Sequence, residues 1–453
     1  MVSATLSHPL PGTAPGRLPL PALLDALRGN ALAAFPREAF FEDVLVQTFF
    51  GRRHVILSRP DAIHHMLIDN PQNYAKADAA TRILRPMLGR GLFLSAGDDW
   101  RRQRRTVAPG FAPRAVRLLA GNVAEAVGEL IEALTEPAGQ TVDFVPVFQT
   151  LALEIIGRAI FSLDMERRAP ELRELILNYA ARLGRPSLAD FLLPLGVPTP
   201  ADLGRRRFRR RWRRLVAQIV EERRTRAGQD AGQGPRDLFG VLAAAAADDE
   251  RPIERLGDQV ATFIVAGHET TASAMFWACY LLASAPATQE RIAAEATKFS
   301  LAPDDAAEAV PQLTFTRAVV DEVLRLYPPA FVITRQAVAD DFVAGIAVPK
   351  GSLVLIAPWV LHRHRRFWSD PDRFDPERFL PERPPPPRFA YLPFGTGPRT
   401  CIGAPFALTE LVLVLAMLTR SFRIALAPHA PVNPVGLTTI QPDRPPTFQL
   451  RPR

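Results

Sequence analysis

Apolar side chains recur at positions i, i+3, i+4 and i+7 along most of this chain, the period of a helix with one buried face. The pattern predicts a short helix near Pro21–Arg28 and another over Pro60–Asp69. A longer helical stretch follows from Asp98 to about Leu134, broken near Pro109-Gly110, then helices over Phe144–Phe161 and Pro170–Leu183. Long helices are expected at 204–227, 235–248 and 253–285, then at 287–298 and 312–327. After Pro328 the period shortens. Val332–Val338, Ile346–Val348 and Leu353–Ile356 read as strands, and Val44–Phe50 with His54–Leu57 flank Gly51-Arg52-Arg53 as a hairpin. Residues 184–203 mix six glycines and prolines with apolar residues and read as a mobile loop or lid; residues 366–392 form a proline-rich meander. A last helix runs from about Gly403 to Phe422. The fold class is mainly α with a minor β part. Residues 1–43 are an irregular lead-in and 44–453 a single unit, since no repeat or Gly/Ser linker divides them.

Composition adds three constraints. Hydrophobic residues make up 47% of the 453, ample for a large core. Only two cysteines occur, Cys279 in an apolar helical stretch and Cys401; this excludes a disulfide framework and fits a reducing, cytoplasmic setting. The net charge is +8, almost all of the positive charge being arginine. The densest run, 205–214, matches a nucleic-acid patch by composition, but a solvated helix face or a docking surface for an acidic electron donor explains it as well. The opening residues hold no continuous apolar segment of the signal-peptide kind. The apolar stretch 259–285 is interrupted by His268 and Glu269, so it reads as a buried helix, and no membrane span is expected.

The chemistry concentrates in three places. Phe394-Gly395-Thr396-Gly397-Pro398-Arg399-Thr400-Cys401-Ile402-Gly403 sets one cysteine in a glycine-rich loop at the start of a helix. Free N–H groups and the helix dipole there favour a thiolate, and glycines let backbone approach a flat cofactor. Such a loop suits a thiolate that ligates iron. A buried free cysteine in a turn is the plainer alternative for a cysteine taken alone. Next, Ala266-Gly267-His268-Glu269-Thr270-Thr271 lies mid-way along the longest helix. A buried acid beside an alcohol is costly unless paired, and such a couple can relay protons to bound dioxygen while two small residues leave it room. Finally, Glu322-Val323-Leu324-Arg325 places an acid and an arginine at i, i+3, a common helix pair.

Taken together these segments resemble the cytochrome P450 family, from roughly Val44 to Arg453. The resemblance implies the P450 fold, with haem b between the long central helix and the Cys401 loop, and Cys401 as the iron ligand in a loop that includes Phe394, Gly395 and Gly403. It implies that Glu269 and Thr270 are the acid and alcohol of oxygen activation, with Ala266 and Gly267 beside the cofactor. Glu322, Arg325 and the downstream Arg378 would form a buried structural triad. Arg399, Arg335, Trp100 and Arg104 match positions that reach the haem propionates. Segments that line the substrate pocket in the family place Leu92, Phe93, Phe191, Phe263, Phe331, Val332 and Leu437 there, all apolar.

The function so implied is a haem-thiolate monooxygenase that hydroxylates or epoxidises a hydrophobic small molecule such as a fatty acid, terpenoid or aromatic. The sequence ends about thirty residues after the last helix, so electrons are expected from a separate ferredoxin or flavodoxin with its NAD(P)H-dependent reductase. A peroxide-driven peroxygenase of the same fold is the alternative, disfavoured by the acid–alcohol pair. A non-catalytic haem sensor or basic nucleic-acid binder is the alternative of another class.

Overall fold

The computed structural model of the chain describes residues 18–49, 51–135, 141–165, 167–229, 238–246, 252–428 and 430–453. Its spine is the helix Pro252–Ala283, 32 residues and about 48 Å long at 1.5 Å per residue. From Gln259 to Leu282 it is buried on all sides, as a helix that is apolar all round must be; only Val265, Ala266, Gly267 and Thr270 keep accessible surface. It packs on Phe144–Phe161, Thr314–Leu326 and Ala404–Ser421. Among the described residues six α-helices begin on a proline, at Pro60, Pro113, Pro200, Pro252, Pro286 and Pro358. That is the position where the missing N–H costs nothing and the fixed φ suits the first turn.

The β part is small. A five-stranded sheet runs in the order Val44–Phe49, Arg52–Leu57, Leu353–Ile356, Ile333–Ala337, Tyr74–Lys76. The first two form the expected hairpin, Val44 opposite Leu57 and Phe49 opposite Arg52, turning at Gly51 with φ of 72°. Three further small sheets include the hairpin Pro434–Gly436 with Ile440–Pro442. The lead-in is packed from residue 31 onward: Leu32, Phe35 and Phe40 bury in the main core. The Asn30 side chain accepts from Gly436 N at 2.9 Å and donates to Pro434 O at 3.1 Å.

The expected helices and strands recur within a few residues of their boundaries, and the last helix gives way at Phe422 to the strand Phe422–Leu426. Expectations placed on residues 1–17, Phe50, 235–237 and 247–248 lie outside the described residues. Two findings differ from the sequence reading. Asp78–Leu88 is a helix that the pattern did not announce, because its buried side carries Thr81 and Arg82. Residues 184–203 are an anchored segment, with a short helix, Leu188–Leu192, closed by a capping box between Ser187 and Asp190. The Phe144–Phe161 and Ala404–Ser421 helices are long and apolar enough to cross a bilayer, but both have two-thirds of that length buried in the core.

Candidate active site

The Cys401 loop is shaped by glycines that no other residue replaces. Gly395 and Gly397 take φ of 67° and 74°, and a Cβ on Gly397 would fall 2.2 Å from Leu67 O. Gly403 is different: its φ is −81° and an added Cβ would make ordinary contacts with Phe111 and Cys401 Sγ. The loop closes by Cys401 N donating to Phe394 O at 2.9 Å. Arg104 Nη1 donates to Thr400 O at 2.9 Å, gripping the backbone beside the cysteine. Burial pushes the Cys401 thiol up, outweighing the N–H groups of Gly403 and Ala404 and the Arg104 charge, which pull it down. The helix N-terminus therefore favours a thiolate as the sequence suggested, but not enough to prevail in the protein alone.

Cys401 keeps accessible surface in the interior, as do Ala266 and Thr270 on the central helix. Thr270 Oγ1 donates to Ala266 O at 2.6 Å and so leaves its lone pairs open. Glu269 is buried and turns elsewhere: its carboxyl meets the Thr439 and Thr438 hydroxyls, and burial pushes it up to about 7. One and two turns further on, Ser273 Oγ and Trp277 Nε1 both donate to Ile440 O, at 2.7 and 2.9 Å. At Gly267 a Cβ would lie 2.7 Å from Ile156 Cδ1, so its small size admits the neighbouring helix.

A cluster of cations borders the loop. Lys76 lies directly opposite Arg335 in the ladder between Tyr74–Lys76 and Ile333–Ala337. Like charges so placed repel. Burial lowers both pKa values, Arg335 to about 10 and Lys76 well below its ordinary value, and the nearby Arg399 adds to both shifts. Arg399 stacks over Trp100 at 4.4 Å and donates to Ser95 O at 2.9 Å. Among the described residues Lys76, Arg104, Arg335 and Arg399 have no carboxylate partner within salt-bridge range. Lys76 was missed from the sequence; the available signal was its type, one of three lysines among 55 basic residues.

The triad forms in part. Arg325 Nε and Nη2 grip the Glu322 carboxylate at 2.6 and 2.8 Å, both side chains fully buried, and Arg325 also reaches three carbonyls, of His362, Pro371 and Arg373. Arg378 Nε stands 3.7 Å from Glu322, an ion-pair distance without a hydrogen bond. His362 extends this group toward the cysteine loop. Its Nε2 accepts from Leu392 N at 2.8 Å, and its Nδ1 sits 3.3 Å from Arg325 O. Burial, reinforced by Arg325 and Arg363, holds its pKa down near 3. A neutral ring that accepts at Nε2 carries its proton on Nδ1. Glu410, on the helix after the cysteine, is buried and bonds Thr271 of the central helix, joining the two walls.

Of the apolar residues, Leu92, Phe263 and Phe331 are buried, and Phe263 meets Phe111 at 5.6 Å. Val332 and Leu437 are half-buried, and Phe93 is 45% exposed with Lys76 over its ring. Phe191 belongs to the short capped helix, its carbonyl receiving Arg52.

The cytochrome P450 family model matches residues 33–449. The chain belongs to the cytochrome P450 family. The P450 is 34% identical to cyclooctatin synthase of Streptomyces melanosporofaciens, covering 93% of this chain and 91% of that one. It is 32% identical to cyclooctat-9-en-7-ol 5-monooxygenase of the same organism, covering 92% and 90%. Among solved structures it is similar to the cytochrome P450DA heme domain, with TM-score 0.80, 25% identity and 97% of each chain covered. It also resembles the retinoic-acid-bound cyanobacterial CYP120A1, with TM-score 0.77, 25% identity, and 92% and 93% covered. This chain is thus a P450 monooxygenase, and its family binds haem iron. The residues present fit that group. Four half-buried cations without acidic partners among the described residues suit a dianionic porphyrin. An accessible thiol, just before a helix that packs on the central helix with its own accessible patch, suits an iron-bearing flat cofactor.

Proposed function

We propose that this P450 inserts one oxygen atom of dioxygen into a C–H or C=C bond of a largely apolar molecule bearing few polar groups. The observation that carries the reading is the accessible Cys401 and Thr270 on two interior elements, bordered by the unpaired cations Lys76, Arg104, Arg335 and Arg399. Haem b, when bound, supplies dioxygen binding, reductive activation and oxygen transfer.

The chain's residues do the rest. Cys401 would hold the iron as thiolate, with Gly403 N–H, Ala404 N–H and Arg104 stabilising the charge on sulfur. Lys76, Trp100, Arg335 and Arg399 would hold the propionates, and Arg104 fixes the loop while adding its charge. Ala266 leaves room beside Thr270. Thr270, whose own hydrogen is committed to Ala266 O, accepts from a water and aligns it for proton delivery. Glu269, near pKa 7, can hold or release a proton at neutral pH. Leu92, Phe93, Phe263, Phe331, Val332 and Leu437 enclose the substrate, with Phe191 toward the mouth. Names such as cyclooctat-9-en-7-ol and retinoic acid, attached to similar proteins, denote hydrocarbon skeletons with one hydroxyl or carboxyl, and we assign this chain a substrate of that kind. Electrons come from a separate ferredoxin or flavodoxin and its NAD(P)H-dependent reductase, and the protein works in the cytoplasm.

The test compares wild type with Thr270→Ala and Cys401→Ser. The reduced, carbon-monoxide-bound wild type should show the strongly red-shifted Soret band of a thiolate ligand, lost in Cys401→Ser. Thr270→Ala should keep that band and substrate binding but yield less product per reduced cofactor, with more peroxide released. Unchanged coupling in Thr270→Ala would remove the proton-delivery role. Turnover faster with peroxide than with any reductase pair would replace the reading by a peroxygenase.

A further inference from the structure

Asp341 takes no part in the oxygenation chemistry, yet four donors meet its carboxylate. It opens the small hairpin of Asp341–Val343 with Ile346–Val348, and its side chain is largely covered. Three donors converge on Oδ2: the Tyr74 hydroxyl at 2.8 Å, His65 Nε2 at 3.0 Å and Asn70 Nδ2 at 3.1 Å. Phe342 N donates to Oδ1 at 2.8 Å. A carboxylate only accepts, so Nε2 carries the proton of His65. Burial opposes the charge, but the His65 and Tyr74 hydrogen bonds outweigh it and hold the carboxyl down at about 2.

The three side-chain donors all belong to one stretch, residues 65–74, more than 260 positions earlier in the chain. It begins with an uncommon element. His65–Asp69 is a π-helical turn, closed by Asn70 N donating to His65 O at 2.8 Å. Such wide turns are rare and are frequent at functional sites. Here the turn is the seat of the cysteine loop. A Cβ on Gly397 would fall 2.2 Å from Leu67 O and 3.4 Å from Ile68 Cγ1. Backbone rests on backbone there, and a close-packed contact passes a displacement on. Thr400 N donates to Gly397 O at 3.0 Å, so one tight turn separates that contact from Cys401. Asp341 holds the residue that opens the wide turn, His65, and the one that closes it, Asn70. Through Tyr74 it also holds the strand that carries Lys76 opposite Arg335.

We propose that Asp341 is a positioning residue for the cysteine loop: by clamping the 65–70 turn it sets where Gly397 rests, and so how Cys401 meets the iron. The inference rests on thiolate ligation by Cys401. The competing role is an anchor that stabilises the hairpin and nothing more. An anchor affects unfolding alone, whereas a positioning residue alters the thiolate ligand in a protein that is still folded. Asp341→Asn separates the two. It keeps the size but offers one acceptor oxygen and an amide donor, so at least one of the four donors loses its partner.

The test uses haem-loaded wild type, Asp341→Asn, Tyr74→Phe and a control, Asp61→Asn. Asp61 accepts from Ala62 N at 3.0 Å in the short helix leading to the same turn and makes no bond to the clamp. Unfolding curves first set conditions in which every protein is folded. Two readouts follow: the reduction potential of the haem, and the rate at which the reduced, carbon-monoxide-bound protein loses its red-shifted Soret band. Asp341→Asn should shift the potential upward and speed the loss about tenfold, the effect of one hydrogen bond to a charged group. Tyr74→Phe should change both in the same direction by less, and Asp61→Asn should match wild type in both. Wild-type values in Asp341→Asn and Tyr74→Phe overturn the inference. So does an equal change in Asp61→Asn, which assigns the effect to stability. Should Asp341→Asn not fold, Tyr74→Phe decides by the same two readouts. A wild type without the red-shifted band removes Cys401 ligation and this inference with it; a wild type with the band and unresponsive variants removes this inference alone.

Discussion

His362 offers the sharpest test of how the buried core supports the cysteine loop. Its ring is neutral in the fold, with a pKa near 3 against an ordinary 6.5, because burial and two neighbouring arginines oppose its charge. The unfolded chain takes up the proton near pH 6.5 and the folded protein does not, so stability falls as pH drops below 6.5 and stops falling near 3. At about 1.36 kcal/mol per unit of pH, the interval from 6.5 to 5 costs about 2 kcal/mol. His362→Gln removes this titration while keeping an acceptor for Leu392 N, at the loss of one hydrogen bond worth about 1 kcal/mol. Glu269 works in the opposite sense. Its raised pKa, near 7 against 4.5, adds stability as pH falls through 7, which masks the histidine in the wild type. The measurement is therefore a difference: urea unfolding of haem-loaded wild type and His362→Gln at pH 7.5 and 5, followed by the Soret band and far-ultraviolet dichroism. The variant should be less stable than wild type by about 1 kcal/mol at pH 7.5 and more stable by about 1 kcal/mol at pH 5. Parallel pH dependence of the two proteins would refute the neutral, loop-bound histidine.

Three further outcomes follow from the same geometry. Glu269→Gln should remove the loss of stability that the wild type suffers as pH rises from about 4.5 to 7, about 3 kcal/mol in all, read from unfolding midpoints at pH 5 and 8. Arg335→Leu removes one charge-assisted partner of an anionic cofactor and should speed haem transfer to excess apomyoglobin about tenfold, equivalent to some 1.5 kcal/mol. Arg205→Leu removes both guanidinium hydrogen bonds from the buried Asp190 carboxylate, leaving it Ser187 and the Arg82 guanidinium 3.8 Å away. It should cost about 3–5 kcal/mol and open the 184–203 segment to limited proteolysis.

Elements with a clean period were legible in the sequence, and so was the cysteine loop. Phe144–Phe161 and Leu353–Ile356 coincide with their predicted limits, because flanking turn residues and an unbroken apolar pattern coincide there. Asp78–Leu88 was not legible, since its buried side holds Arg82, whose partners lie more than 110 residues away. Lys76 was not legible either: its place opposite Arg335 depends on pairing between strands some 260 residues apart. The 184–203 segment looked mobile because glycine and proline mark turns, and its anchors, Arg82 and Arg205, are side chains whose type suggests a surface. In each case the missing information was a tertiary partner for a charged residue. Local pattern reports which face is apolar, and a buried arginine contradicts that report until its acids and carbonyls are in view.

The central helix explains why one short motif carries several unrelated tasks. Successive residues on a helix point about 100° apart, so consecutive residues must face different elements when a helix is buried all round. Ala266 and Thr270, four apart, share the accessible side. Gly267 faces Ile156 on the neighbouring helix. His268 is buried, with a pKa lowered to about 4 by burial and then by Arg173, and neither ring nitrogen has a partner among the described residues. Glu269 heads a ladder with Ser273 and Trp277, spaced four apart, that holds the Thr438–Ile440 turn beside Leu437. The acid is therefore tied to the turn expected to touch substrate, and the alcohol to the side expected to meet dioxygen. Under the proposed roles, a proton on Glu269 would change how that turn is held and would couple substrate contact to proton supply through one carboxyl. That coupling follows from helix geometry, because residues 269 and 270 cannot face the same way.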